Sequence, residues 1–534
     1  MRYASDENQH IAIKRTVDPF GNVTQEAFPC ALVDKQYDEF NRLLSLKITG
    51  IGEVSYRYDP LFLREVTRSA NNGEVLYVHK YENYDLAGNL LSEKLIGNLG
   101  QVDHSLDLRG QKTAISSPYF SQSCSYDSVG NLIENGINQV VYRYSYDSLS
   151  QLSSEKGPSQ SSIYVHDSLY NRTNKDDTTS EVDALNQLLT IGKKRCSYDL
   201  NGNQTLKHTP SEAFDLVYDP LNRLVEATSP KKKIVFSYDP LGRRLSKIIY
   251  EMTPSGWKET ENEHYLYHGQ HEMGAFCNHV PKNLRVLGID EKNSPLTISI
   301  ELEGQIFAPL LDVQGNVRGL IDLDSRSVAN RYDFTAFGEE LQKTQESACN
   351  PWRYASKRLD PELGLIYFGK RYYDPEVARW LTTDPAGFID SVNLYQYVFN
   401  NPFGYRDPDG QFAFAIPLLI WGAELILPSL SACIAPIVYG AITGAVAYGG
   451  YKAIQAIRDQ DSCFLAVDHK NYVNKSNADS EKDTKKDGPP RSNTDQNKQA
   501  KDAKKEIERD LGRKLTKDEE REFHDHVTGR RYNY

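Results

Sequence analysis

The sequence predicts a mainly β protein: hairpins in series continuing one long sheet, followed by a short apolar helical segment and a small α-helical C-terminal domain. Three observations predict it. A Tyr-Asp motif recurs about every 20 residues from 17 to 238, the chain carries 34 Tyr against 19 Phe, 4 Trp and 3 Met, and the composition changes abruptly after Gly410. A tyrosine excess of that size asks for a recurring role, because ordinary cores do not prefer Tyr so strongly over Phe.

Composition sets outer limits. With 25% charged and 39% hydrophobic residues, the 534-residue chain is neither wholly disordered nor a polytopic membrane protein. A net charge of -11 argues against a chain that coats nucleic acid along its length. The seven cysteines, at 30, 124, 196, 277, 349, 433 and 463, are never spaced as a CxxC metal site, so they read as scattered thiols. The start, MRYASDENQHIAIKR, has no apolar signal core, so export is expected to use a specialised route or a longer parent chain.

The repeat comes first along the chain. Its twelve units begin with VDPFGNV at 17, YDEFNRL at 37 and YDPLFLR at 58, and end with YDLNGNQ at 198, YDPLNRL at 218 and YDPLGRR at 238. Each reads as an aromatic or β-branched strand, an Asp that opens a turn, a Gly or Asn that accepts positive φ, and a second alternating strand. About 20 residues hold two strands and two turns, so successive hairpins continue one sheet, with Tyr rings expected to stack from unit to unit. The rival reading of the tyrosines, a sugar-binding ladder, is unnecessary where packing explains them.

At this point the sequence resembles the YD-repeat, or Rhs, family, whose relatives include the C component of insecticidal Tc toxin complexes and the teneurins. Residues 351–410 strengthen the resemblance: LDPELGLIYFGKRYYDP, ARWLTTDPAG, NLYQYVFNNP and DPDG follow in order and look like an Rhs repeat-associated core. The resemblance implies a hollow shell in which the spiral sheet, residues 1–345, encloses the chain's own C-terminal segment while the core, 346–410, plugs one end. With the repeats starting close to Met1, the shell is expected to be short, open, or completed by a shell or spike partner.

Cores of this kind cut their own chain just after DPxG, which implies aspartyl-type autoproteolysis. Two carboxylates held together push their pKa values apart, so one activates water while the other stays protonated. The candidates are Asp374, Asp384 and Asp390, with Arg379 to orient a carboxylate or polarise the scissile carbonyl; Asp384 with Arg379 is the favoured pair. The cleavage motif is Asp407-Pro408-Asp409-Gly410, with scission at Gly410-Gln411 or the next bond. The competing reading is plain: Asp-Pro pairs start turns, and an Asp in a turn more often caps backbone than catalyses.

After Gly410 the chain turns apolar. Residues 425–451 carry no charge, a length that spans a bilayer, but Pro417, Pro428 and Pro436 break it into short helices. Insertion into a target-cell membrane, constitutive anchoring, and an apolar plug inside the shell all remain open for 411–457. Residues 458–493 read as a polar linker, and 494–534 as a small helical tip in which Thr516 to Glu519 form a capping box. Residues 485–534 hold 14 Lys or Arg against 11 Asp or Glu, reversing the sign of the chain.

That reversal fits a cargo that meets phosphate. His524, Asp525 and His526 supply an acid/base pair or ligands for a divalent metal, and Arg530 and Arg531 could hold phosphate; an exposed helix end explains them equally well. The tip looks like the small C-terminal domains of polymorphic bacterial toxins. The expectation is therefore a secreted or cell-surface toxin-delivery protein whose cargo, with a nuclease as the leading reading, is neutralised by a cognate immunity protein. The alternatives are a non-enzymatic adhesive YD-repeat protein and a truncated cassette of a longer parent.

Overall fold

The computed structural model describes residues 14–158, 160–289, 295–341, 348–389, 391–411 and 413–415. The chain divides into two units, Met1–Thr443 and Gly444–Tyr534. The expected linker and helical tip, and all but the first few residues of the apolar segment, lie outside the described residues. Among the described residues, helix is confined to single 3-10 turns at Ile96–Asn98, Tyr354–Ser356 and Val398–Asn400, and no helix is long and apolar enough to cross a membrane.

Strands dominate. Nineteen, from Lys14–Val17 to Lys194–Arg195, form one sheet, and twelve, from Leu206–His208 to Val328–Arg331, form a second. Within each sheet every strand pairs antiparallel with the next in the chain, as Ser121–Tyr126 does with Leu132–Ile137. Four short strands, Arg358–Asp360, Leu365–Tyr367, Tyr372–Asp374 and Arg379–Trp380, make a smaller sheet within the expected core segment.

The repeat chemistry explains the meander. In the turn at Asp127, Oδ1 accepts the backbone N–H groups of Val129 and Asn131 at 3.0 and 2.8 Å, and Asn131 Nδ2 donates to Oδ2 at 3.0 Å. The same bonds recur at Asp18, Asp85, Asp167 and Asp199. The residue three positions after Asp takes positive φ, 97° at Gly130 and 61° at Asn41, which is why Gly and Asn recur there. Side chains one residue further on staple neighbouring turns: Asn22 donates to Asn41, Asn171 to Asn186 and Asn203 to Asn222 at 2.8 to 2.9 Å.

The tyrosines act differently from the expected ring ladder. The hydroxyl of Tyr146 donates to the Leu132 carbonyl at 2.9 Å, and Tyr126 and Tyr238 reach the Lys112 and Leu224 carbonyls, 14 residues back, at 2.8 Å. Each bond fastens the end of one strand to the start of its antiparallel neighbour. Rings are covered instead by guanidinium groups of the preceding repeat, Arg42 over Tyr58 at 4.5 Å and Arg223 over Tyr238 at 5.0 Å.

The cores lie where sheets meet. Val54, Val66, Tyr77 and Tyr81 of the first sheet pack with Val286, Ile298, Leu310 and Ile321 of the second. Residues from 352 onward then fill three further clusters: Trp352, Phe368, Tyr373, Trp380 and Tyr397 against Ile300 and Leu320; Leu363, Leu365 and Leu381 against Phe214 and Phe236; Phe403 against Tyr144 and Leu152. Asn393, Asn400 and Asn401 grip the repeat turns by donating to Leu169 O, Tyr170 O and Asn131 Oδ1 at 2.8 to 2.9 Å. The segment after the repeats is thus wedged into the sheets.

Candidate functional site

The site grows from the end of that wedge. Tyr405–Arg406 pairs with Phe414–Ala415, and the connection between them carries Asp407-Pro408-Asp409-Gly410-Gln411. Asp407 is buried, and its Oδ1 accepts the backbone N–H groups of Asp409, Gly410 and Gln411 at 3.3, 2.7 and 3.1 Å. This is the repeat's Asp turn again, now tightened around one peptide bond. Gly410 takes φ +86°, and a Cβ there would stand 3.1 Å from Arg371 N and 3.4 Å from Phe368 Cβ.

Arg371, buried immediately before the strand Tyr372–Asp374, organises the rest. Its Nε donates to the Gly410 carbonyl at 2.5 Å, its Nη2 lies 2.6 Å from Asp384 Oδ2 and 3.4 Å from Asp407 Oδ2, and its Nη1 donates to Leu394 O at 3.3 Å. The guanidinium lies 4.2 Å from the Trp380 ring centroid, which fixes its plane. Two carboxylates and the carbonyl of one peptide bond therefore converge on a single cation.

Burial dominates the electrostatics of the loop. Burial pushes Asp407 up to about 7, against the attraction of Arg371 and helped by the charges of Asp409 and Asp384. Asp409 is raised by burial as well, opposed by Lys357 and Lys370. Lys357 Nζ donates to the Pro408 carbonyl, and Lys370 N to the Asp409 carbonyl at 2.9 Å, so the whole loop is held through its backbone.

The structure regroups the residues singled out in the sequence. It joins Asp384 to Arg371 and not to Arg379, whose guanidinium donates to Asn171 Oδ1 at 2.9 Å and to the Asn186 carbonyl while lying over the Tyr395 ring. Arg379 points to the repeat turns because it faces away from the loop in a two-residue strand paired with Tyr373 and Asp374. Asp374 is occupied by Lys207, 2.5 Å away and buried with it. Asp390 and the tip residues His524, Asp525, His526, Arg530 and Arg531 lie outside the described residues.

Arg371 escaped the sequence reading, although it stands in the quoted GKRYYDP. The available signal was the pair of cations Lys370 and Arg371 set between the apolar run LIYF and YY, where a buried cation is obliged to find a carboxylate. Among the described residues no group of His, Cys, Asp and Glu could hold a metal ion, and the five described cysteines are unpaired.

The teneurin YD-shell profile matches residues 115–403, more than half of the chain. The chain belongs to the teneurin YD-shell family. Over 286 residues this YD-shell chain is 27% identical to the tRNA3(Ser)-specific nuclease WapA of Bacillus spizizenii, a stretch covering 51% of the chain and 12% of WapA. Over 65 residues it is 51% identical to toxin subunit YenC2 of Yersinia entomophaga, covering 12% of the chain and 7% of YenC2. Its fold matches the crystal structure of TcdB2-TccC3-Cdc42 with a TM-score of 0.63 and 20% identity, over 75% of this chain and 24% of that one. The chain spans no more than 12% of the length of the two curated relatives.

Proposed function

We propose that this YD-shell chain is the closing part of a secreted toxin-delivery shell that cuts its own backbone after Gly410 and so frees the segment that follows. The observation that carries the reading is Arg371, with Nε on the Gly410 carbonyl and Nη2 between Asp384 and Asp407. In this reading Asp384 takes a proton from a water that attacks the Gly410 carbonyl carbon, and Arg371 holds the oxyanion. Asp407, protonated near neutrality and 3.1 Å from Gln411 N, gives its proton to that nitrogen as the C–N bond breaks. The products are a carboxylate at Gly410 and an amine at Gln411.

The remaining assignments follow from the sequence and the relatives. Residues 1–345 form the wall of a hollow shell, 346–410 the core that plugs it, 411–457 a membrane-active or plug segment, 458–493 a linker and 494–534 the helical cargo. A nucleic-acid substrate for the cargo is supported by the nuclease relative WapA and by the basic, histidine-containing tip. A cognate immunity protein and a shell or secretion partner complete the system. The test is the mass of the expressed chain: fragments ending at Gly410 and starting at Gln411 are expected, Asp384→Asn and Asp407→Asn should each leave the chain whole, and a single 60.6 kDa species from the unmodified sequence would overturn the proposal.

A further inference from the structure

The Asp turns of the first sheet all join strands in the same sense of the meander, so the nine of them, from Asp18 to Asp183, line one edge. Turns of the opposite edge are in part polar or small, as at Asn72-Gly73, Asn138-Gln139 and Asp176-Asp177, and apolar side chains there, such as Phe28, Ile96 and Phe120, are buried. One or two residues after each Asp the first edge presents an apolar side chain. Phe20, Phe40 and Leu61 are 73%, 68% and 78% exposed, and Leu86 and Leu108 are fully exposed at 110% and 108%.

This is no scatter of single surface leucines. Staples between neighbouring turns hold these tips in a row, as Asn22 does to Asn41 and Arg109 Nη1 does to Ser128 O at 2.9 Å. Two strands separate successive tips, so they recur at a pitch of roughly 9.5 Å. The Asp carboxylates of the row are engaged by their own turns. Asp18, Asp85 and Asp127 give both carboxylate oxygens to their own turns, and Asp38 and Asp59 add ion pairs with Arg42 and Arg64 at 2.7 and 2.5 Å.

The molecule holds a covered example of the same turn. Asp312 accepts the N–H groups of Gln314 and Asn316 as the repeats do, but its apolar tip, Val313, packs into the core. Protein covers it: Ala355 N donates to Asn316 Oδ1, and Ser356 Oγ and Arg406 Nη2 donate to Gly315 O and Gln314 O, all at 2.7 Å.

We propose that the apolar Asp-turn edge of the first sheet is a docking surface for a second copy of this chain, edge against edge. A second copy presents the same pitch, so in a twofold arrangement each tip seats between two tips of its partner. At roughly 90 Å² per large apolar side chain the row offers on the order of 700–800 Å², close to what one partner contributes to a stable interface.

The test is sedimentation velocity of the full 534-residue chain across a wide concentration range. Reversible dimers are expected, and Leu61→Asn/Leu86→Asn/Leu108→Asn should weaken them by about 100-fold or more. The triple variant should keep the unmodified chain's circular dichroism melting curve, since these side chains touch little; should it melt early, Leu108→Asn alone carries the test, with a smaller loss in the same direction. The row lies upstream of Gly410, so the outcome is independent of scission. A chain that stays monomeric at every concentration, dimers that all variants retain, or a monomer that floats with phosphatidylcholine vesicles through these tips would each overturn the proposal.

Discussion

Arg371→Lys isolates the chemistry proposed at Gly410. The substitution keeps one positive charge, so neither carboxylate is left facing an empty buried position, but it removes the fork. In the native site separate nitrogens serve separate tasks, Nε the Gly410 carbonyl at 2.5 Å and Nη2 Asp384 at 2.6 Å. A single ammonium can serve one and loses the fixed plane that Trp380 provides. Loss of one positioned oxyanion donor costs about 10²–10³ in rate, equivalent to about 2.7–4 kcal/mol of barrier. The assay is refolding of the denatured chain by dilution, with acid-quenched samples weighed for loss of the 60.6 kDa species and gain of a fragment starting at Gln411. Near-ultraviolet circular dichroism from Trp380 and its aromatic neighbours reports whether the variant refolds. Hydrolysis in ¹⁸O water should place one heavy oxygen in the new Gly410 carboxylate. A variant that refolds to the native aromatic signal and cuts at the unmodified rate would refute the role given to Arg371.

Other consequences concern pH, stability and the repeat. Asp407 is raised from 3.8 to about 7 in the folded chain, so folding takes up a proton between those values; its contribution is complete below pH 3.8 and is lost as pH rises through about 7. Scission by a protonated Asp407 should slow above that pH, and a refolding-coupled rate that stays flat from pH 6 to 9 would sink the general-acid assignment. Asp374→Asn takes from buried Lys207 its nearer carboxylate, leaving Glu376 at 3.7 Å, and should destabilise the fold by up to about 3 kcal/mol in urea titration, while the proposed scission after Gly410 persists in the chains that fold. Asp147→Ala removes the acceptor for Leu149 and Gln151 N–H, costing about 1–3 kcal/mol locally, visible as faster hydrogen exchange confined to that turn. Gly410→Ala combines a left-handed φ with a Cβ 3.1 Å from Arg371 N and should impair scission without shifting the global melting temperature.

The fold was readable because the repeat writes its hydrogen bonds locally. Asp127, Gly130 and Asn131 lie within five residues, and the Tyr146 hydroxyl reaches only to Leu132, so twelve copies of one short pattern specify strand, turn and direction. What the tyrosine does with its hydroxyl was not readable, because stacking and capping leave the same trace in a sequence. The site was half readable for a related reason. The DPDG loop and Asp384 stand out as turn motifs, but the choice between Arg371 and Arg379 depends on where the Arg379 side chain leaves its short strand. That is fixed by Asn171 and Asn186, some two hundred residues away. Long-range polar partners of this kind have no periodicity to betray them.

The same distances bear on when the proposed cut would occur. Arg371, Asp384 and Asp407 are brought together by Trp380, Tyr373, Tyr397 and Phe368, an aromatic cluster completed by Ile300, Phe307 and Leu320 of the second sheet. Lys370, next to Arg371, donates to Leu241 O in the last Tyr-Asp turn at 2.8 Å, and Arg406, next to Asp407, donates to Gln314 O. Both flanks of the scissile loop are therefore anchored on strands formed well upstream, so the converging carboxylates exist only once the sheets have closed on the wedge. In the unfolded chain Asp407 returns to its ordinary range and Arg371 has no fixed partner, so the proposed scission requires the folded state. Lys370→Ala, which frees one anchor while leaving the Arg371 contacts to Asp384 and Asp407 in place, should then lower the proposed scission rate and the stability of the 368–411 region in parallel. A slower cut with unchanged hydrogen exchange across that region would break the coupling.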